Sequence, residues 1–314
     1  MRAPGFWHAP PGLASALLAP LGWLYAAGTA RRVARPGWRA PVPVICCGNA
    51  VAGGSGKTTL ALEIGARLLA RGSRVAFLTR GHGGTLRGNA RVQGTDAARF
   101  GDEALLLAAL APTYAGADRA ASARLAVAEG AEMLVMDDGL QNPTLAKTLS
   151  LLVIDGAAGF GNGCVIPAGP LREPVSAAAS RCEAAVLIGA DSAGALAALP
   201  PGLPVLRASL HADARAAALA GQRVLAFAGI GRPTKFAETL RAAGVEVTGL
   251  RGFPDHHRYT PGELAALRAE AAGMGLVLVT TPKDAARLPP GFAAVAGVEL
   301  VWDDPGALAA LLPP

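Results

Sequence analysis

"VPVICCGNAVAGGSGKTTL", residues 42–60, decides the fold. A short β-branched and apolar run ends at Cys47, a turn crowded with glycine follows, and a single lysine opens a stretch with helical spacing. In such a loop, glycines let successive backbone N–H groups point inward at phosphate oxygens. The lysine neutralises charge on the terminal phosphates, and the next hydroxyl holds Mg²⁺. Gly53, Gly54, Ser55, Gly56, Lys57, Thr58 and Thr59 supply that set, and the cofactors expected of it are ATP and Mg²⁺. The strict loop pattern asks for glycine at position 51, where this chain has Val51; the strand-loop-helix context supports the reading all the same.

Around this loop the chain has room for two domains, with 314 residues, of which 52% are hydrophobic and 17% charged. That composition excludes wholesale disorder and leans greasier than an ordinary soluble enzyme. A net charge of +6 suits an anionic partner. Aromatics make up 5% of the chain and are not interleaved with basic runs, which argues against nucleic acid as that partner. Cys46, Cys47, Cys164 and Cys182 show neither CxxC spacing nor paired histidines nearby. They read as buried thiols of a reducing compartment, not as a zinc site or disulfide framework.

The stretch 12–30, "GLASALLAPLGWLYAAGTA", carries no formal charge, and as a helix it would measure roughly 28 Å, close to the hydrocarbon thickness of a bilayer. Pro20 interrupts it, while Trp23, Tyr25 and then Arg31, Arg32, Arg35 and Arg39 resemble an aromatic belt with a basic flank. The segment reads as a helix lying in or dipping into one leaflet. A cleaved signal peptide and a helix packed on the protein's own core are the competing readings, and a nucleotide loop just downstream argues against the first.

Beyond the loop, apolar runs at 42–47, 74–79, 133–137, 151–155 and 185–188 alternate with helical patterns at 57–71, 102–111 and 122–129. Continuous apolar strands alternating with helices predict a parallel sheet covered on both faces. After "LPPGLPV" (199–205) the same rhythm restarts over 223–281. The expected organisation is α/β: an N-terminal membrane-associated helix over 1–40, a P-loop NTPase-like nucleotide-binding domain over 41–208 and a smaller α/β domain over 209–314.

"MLVMDDGLQ" (133–141) ends an apolar strand in Asp137 and Asp138. Carboxylates at the carboxyl edge of a parallel sheet stand where ligands bind, and one can hold the Mg²⁺ that Thr58 also contacts. Further strings then follow in order: "TRGHGG" (79–84), "GDEALLLA" (101–108), "GFGNGCVIPAGPLREP" (159–174), "FAGIGRPTKF" (227–236), "FPDHHRYT" (253–260) and "TTPKDAARL" (280–288). The ordered set resembles the tetraacyldisaccharide 4'-kinase family, the lipid A 4'-kinase of Gram-negative bacteria, from about residue 12 to the late 280s.

That resemblance implies ATP-dependent phosphorylation of the 4'-hydroxyl of a tetraacylated glucosamine disaccharide 1-phosphate, giving lipid IVA at the cytoplasmic face of the inner membrane; a monomer is the expected state. It implies Asp102 as the catalytic base and His256 as its partner, beside Lys57. It also brings Glu173 to the metal shell of Thr58, Asp137 and Asp138. Arg80 and Arg172 are the candidate substrate-phosphate contacts, and Lys283 and Asp284 match a further string without an assigned role. Asp102 and His256 fall in different domains, so catalysis would require the two to close. Asn142, His82 and Ala104 depart from the residues many relatives carry there. The rival reading is a membrane-associated P-loop switch ATPase; its signature lysine would fall at Ala52.

Overall fold

The computed structural model describes residues 4–314; residues 1–3, the start of the expected N-terminal segment, lie outside the described residues. Thirteen strands follow one another as β1 (Val44–Gly48), β2 (Val75–Thr79), β3 (Asn89–Arg91), β4 (Thr113–Gly116), β5 (Met133–Asp137), β6 (Leu149–Asp155), β7 (Ala184–Ile188), β8 (Val205–Ala212), β9 (Arg223–Ala228), β10 (Glu246–Gly252), β11 (Val277–Thr280), β12 (Ala294–Val295) and β13 (Val298–Trp302). Nine form one sheet, in the order β13-β8-β7-β6-β1-β5-β2-β4-β3, and four form a second, β10-β9-β11-β12. Within the large sheet only the edge strands β3 and β13 run antiparallel to their neighbours. The α/β architecture read from the sequence is therefore present, with a larger and a smaller parallel sheet.

Every residue of β1, β2, β5, β6 and β7 is buried. That is why these strands read as unbroken apolar runs: helices cover both faces. Helix Lys57–Ala70 buries Leu60, Ala61, Ile64, Gly65 and Leu68 on its inward face, the spacing of one helical stripe. β1 lies at the centre, between β5 and β6. Its carboxyl end, where the chain turns to either side, is the crevice in which open α/β sheets bind ligands.

The expected boundary at residue 208 falls inside β8. This strand pairs along Ala208–Ala212 with β13 from the far end of the chain. Trp302, Leu308 and Leu312 pack into the core beside helix Lys57–Ala70, and Trp302 Nε1 donates to Glu63 at 3.4 Å. The last residues thus belong with the large sheet, and the small unit occupies about 213–297. β8 alternates exposed and buried residues where a covered strand would be wholly apolar, which hid it from the sequence reading. The chain crosses between units twice, side by side, where Asp213 N–H donates to Gly297 O and Gly297 N–H to Asp213 Oδ1, each at 3.1 Å.

Helix Leu13–Val33 is inverted. Ser15, Gly22 and Thr29, seven residues apart, are its buried positions, whereas Leu17 and Trp23 are each 72% exposed and Leu13, Leu21 and Leu24 stand out beside them. Ser15 Oγ accepts from Asn162 Nδ2 at 3.0 Å. A side chain at Gly22 would come within 2.9 Å of the Val165 carbonyl, so the helix sits against the protein by its small polar stripe. It is long and apolar enough to cross a membrane by length and composition.

Candidate active site

The phosphate loop leaves β1 at Gly48 and enters helix Lys57–Ala70 through Gly56 in the left-handed conformation, φ 85°. Its first half is held in extended form. Val51 bridges antiparallel to Leu171, Ala52 N–H donates to Pro170 O at 2.8 Å, and Arg172 N–H donates to Ala50 O at 2.7 Å. A β-branched residue suits a strand-like pairing, which is the physical reason position 51 can do without glycine. Farther on, Asn49 Nδ2 donates to Ser55 Oγ at 2.9 Å, and Gln141 Nε2 supports the loop through Asn49 O at 2.8 Å. Gly53 and Gly54 are exposed and Thr59 is half-buried. Lys57 Nζ donates to Gly53 O at 3.2 Å.

β1 and β5 are in register so that Cys47 lies beside Asp137, which sets a carboxylate next to the loop. Thr58 Oγ1 donates to Asp137 Oδ2 at 2.9 Å. Asp137 is 1% exposed, and its other oxygen has no hydrogen-bond partner among the described residues. Burial raises its pKa to about 7; the Glu103 charge adds to the rise, and Lys57 opposes it. An orphaned, desolvated carboxylate oxygen next to a threonine hydroxyl is the donor set a hard divalent cation takes, with phosphate oxygens and water completing its shell. No cluster of three or more His, Cys, Asp or Glu side chains stands ready for a metal among the described residues.

Two of the expected metal-shell residues are turned elsewhere. Asp138, at φ 53°, takes a two-pronged bond from Arg172, Nη1 to Oδ1 at 2.7 Å and Nη2 to Oδ2 at 3.1 Å, with Lys57 Nζ at 3.9 Å. Burial would raise its pKa, but Lys57 and Arg172 together bring it below the usual value. Glu173, 2% exposed, spends its oxygens on Arg181 at 2.7 and 2.8 Å and on Gln141 at 2.8 Å. It braces the loop through Gln141. Arg172, expected at substrate phosphate, is likewise committed to Asp138, whereas Arg80 stands exposed just past β2. The four residues expected at the metal therefore divide in this structure: Thr58 and Asp137 bond each other, whereas Asp138 and Glu173 are paired with arginines.

Asp102 opens helix Asp102–Ala108 directly after Gly101, φ 83°, and a β-carbon at 101 would lie 2.2 Å from the His82 carbonyl. Only glycine fits that corner. The carboxylate is 2% exposed and meets His256 Nδ1 at 3.0 and 3.1 Å. His256 has a positive φ, 59°, and with Asp138 it makes up the non-glycine residues of that kind among those described. Such strain costs about 1–3 kcal/mol and concentrates at functional sites. The turn is held by His256 N–H to Gly229 O at 3.1 Å, and Phe253 stacks on His257 at 4.8 Å.

The small unit brings two more cations to this helix start. Lys283 Nζ donates to Glu103 at 3.1 Å, and Arg287 Nη1 lies 3.9 Å from Asp102 Oδ2. Burial raises the Asp102 pKa, yet the His256 hydrogen bond, Lys283, the His256 charge and Arg287 outweigh it and leave the carboxyl below its usual value. His256 moves the other way: its bond to Asp102 favours the charged ring, and burial only partly offsets this. A cavity of about 350 Å³ opens between the units against Asp102, His256, Arg258 and Arg287. Arg232 adds an ion pair across the units to Asp155 at the end of β6.

The structure thus brings together Lys57, Thr58 and Asp137 on one side and Asp102 with His256 on the other. Glu103, next to Asp102, lies near enough for its charge to raise the Asp137 carboxyl. The sequence reading did not single out Gln141, Glu103, Arg119, Arg181 or Arg287. Arg119 is 2% exposed at the start of the helix after β4, bonded to Gly116 O; burial lowers its pKa to about 10 although Asp138 and Asp137 attract it. Arg287 had a signal, its place in the "TTPKDAARL" string. Among the departures, Asn142 ties its turn to Ala117 O at 3.0 Å, Ala104 is fully buried, and His82 meets the His256 ring edge-on at 5.9 Å.

A sequence model of the family described as tetraacyldisaccharide-1-P 4'-kinase matches residues 14–312. The tetraacyldisaccharide 4'-kinase of Gluconacetobacter diazotrophicus is 57% identical over 99% of this chain and 97% of its own. That of Rhodospirillum centenum is 52% identical over 100% and 96%. The crystal structure of LpxK from Aquifex aeolicus in complex with ATP superposes with a TM-score of 0.76 at 27% identity, over 95% of this chain and 98% of that one. A family match over nearly the whole length, with relatives this similar, places the chain in the tetraacyldisaccharide 4'-kinase family.

Proposed function

We propose that this enzyme transfers the γ-phosphoryl group of ATP to the 4'-hydroxyl of a tetraacylated glucosamine disaccharide 1-phosphate, giving the lipid IVA precursor of lipid A. The observation that carries the reading is the pairing of a phosphate loop with a second buried carboxylate. Lys57 and Asp137 serve the nucleotide, and Asp102, bonded to His256 at 3.0 Å, serves the acceptor.

Phosphoryl transfer passes through a loose transition state, so catalysis is chiefly positioning and charge stabilisation. The backbone of residues 53–58 cradles the phosphates, and Lys57, now resting on Gly53 O, moves its ammonium to the β- and γ-oxygens. Mg²⁺ bound by Asp137 with Thr58 would neutralise charge on the same oxygens. Asp102 accepts the hydrogen of the acceptor hydroxyl as its oxygen attacks the phosphorus and ADP leaves. A carboxylate with a depressed pKa is a weak base, which suffices because the hydroxyl proton moves late in a loose transition state. His256 fixes its orientation and shares the charge it gives up.

The acceptor is a lipid, and the outward leucines of helix Leu13–Val33 with the arginines at its end offer the reach to an anionic membrane surface. We place the enzyme, as a monomer, on the cytoplasmic face of the bacterial inner membrane. Arg80, exposed past the second strand, is the candidate contact for the sugar phosphate. Incubation with radiolabelled ATP, Mg²⁺ and the disaccharide lipid tests the reading. The label is expected on the lipid by thin-layer separation, with little ATP consumed when the lipid is left out. Label released only as free phosphate, at a rate indifferent to the lipid, would identify a switch ATPase instead.

A further inference from the structure

We propose that Arg287 is a positioning residue of the phosphoryl transfer: the small unit uses it to hold the Asp102 carboxylate ionised and aimed at the acceptor hydroxyl. The inference rests on the reading of Asp102 as the acceptor-side base.

Arg287 is 7% exposed at its side chain and is anchored from behind. Its Nη2 donates to Asp284 Oδ1 at 2.5 Å and to Gly229 O at 3.2 Å. Asp284 is itself fixed by the Tyr259 hydroxyl at 2.9 Å, Thr281 Oγ1 at 2.7 Å and Gly229 N–H at 3.0 Å. Four donors on one buried carboxylate leave the guanidinium no freedom to swing. Arg287 is among the residues that line the cavity; its Nε and Nη1 are buried and have no hydrogen-bond partner among the described residues, and Nη1 lies 3.9 Å from Asp102 Oδ2. An unpaired buried guanidinium edge is costly, and a fold that keeps one within reach of a carboxylate shares it with something that enters from the cavity.

The groups facing Asp102 divide by origin. From its own helix comes Glu103, a like charge paired with Lys283. From the small unit come His256 in direct contact, Arg287 across the gap, and Lys283 beyond Glu103. His256 is titratable near neutrality, and beside it stand His82 and Asp255 at 3.8 Å. Arginine is charged at any working pH, so Arg287, together with Lys283 behind Glu103, keeps positive charge near Asp102 when His256 loses its proton, and of the two it is Arg287 whose Nη1 lies against Asp102 Oδ2. No oxygen fits between Nη1 and Oδ2 at 3.9 Å; the acceptor hydroxyl would lie across the pair from the cavity side, its hydrogen directed at Asp102 and its oxygen receiving Nη1–H until attack begins.

The test measures kcat/KM for the lipid acceptor against pH for wild type, Arg287→Met and Arg287→Lys, with the KM for ATP in parallel. Removing the fixed cation raises the Asp102 pKa. The acid limb of the Arg287→Met profile is expected to move toward neutral pH by about one unit, with kcat lowered about tenfold or more, an unchanged KM for ATP, and the limb largely restored in Arg287→Lys. The same substitution in an Asp102→Asn background is expected to change kcat less than twofold, since Arg287 then has no carboxylate to act on. An acid limb unmoved in Arg287→Met, or an equal loss in both backgrounds, would overturn the proposal and leave Arg287 a packing residue. Should Arg287→Met not fold, Arg287→Gln carries the same two readouts. Asp102→Ala separates the premises: if it retains wild-type kcat, the base reading itself has failed, whatever Arg287 does.

Discussion

Two aspartates in this protein are almost equally buried, Asp137 at 1% and Asp102 at 2% exposure, yet burial decides the outcome at only one of them. Asp137 is raised to about 7, and Asp102 is lowered. The difference lies in which element brings the counter-charge. Asp137 ends a central strand of the large sheet, and its nearest bonded group is a neutral hydroxyl, because the neighbouring Lys57 and Arg172 are engaged with Asp138. Asp102 begins a helix at the edge of the cleft, and the small unit lays His256, Lys283 and Arg287 over it. On the proposed function, the carboxylate without a bonded cation would take the divalent ion, and the one surrounded by cations would receive the proton.

The comparison can be broken most forcefully on the phosphate side. Lys57→Ala is expected to lower kcat by about 10²–10³-fold and to weaken ATP binding as well, measured by steady-state kinetics and nucleotide titration; unchanged ATP affinity would detach Lys57 from the nucleotide. His256→Ala should lower kcat by about 10–100-fold with the KM for ATP unchanged. A rise in that KM would show that the acceptor side is not separate.

The smaller effects concern stability. Without nucleotide or metal at pH 8, Asp137→Asn is expected to raise stability and Asp102→Asn to lower it, each by about 1–3 kcal/mol, in denaturant titrations. The signs follow from linkage. A carboxyl whose folded pKa is raised weakens the fold as pH climbs from its usual 3.8 toward about 7. One whose folded pKa is lowered contributes stability above 3.8 that is lost as pH falls through the lower value. Equal signs for the two substitutions would end the contrast. Least in energy, Leu17→Ser with Leu24→Ser should leave the melting temperature within about 2 °C, because both side chains stand in solvent, while reducing flotation with anionic vesicles. Unchanged flotation would remove the membrane role of that helix.

The large-sheet half was legible because its signals are local: glycines at fixed offsets before Lys57, an apolar run closing on Asp137, and continuous burial along five strands. The small-unit half was legible only through ordered strings, since Asp102 and His256 are 154 positions apart and nothing in either stretch states that they meet. Glu173 and Arg172 show a limit of another kind. Their types fit a metal shell and a phosphate contact, but the partners that claim them, Arg181 and Asp138, are set by how 165–173 pairs with the loop at Val51. The edge strand β13 and its neighbour β8 were missed because half-exposed strands lack an unbroken apolar signal. The N-terminal helix was readable as apolar, but which side faces the protein depended on three small residues seven apart.

The central claim is that acceptor activation at Asp102 is separable from nucleotide binding at Lys57. Its most direct test is single-turnover phosphoryl transfer by Asp102→Ala, with the Mg²⁺·ATP dissociation constant measured on the same preparation. The expected result is transfer slowed by about 10²–10⁴-fold at an ATP affinity within about threefold of wild type. Transfer at a near wild-type rate would contradict the account, as would ATP affinity falling in step with the rate.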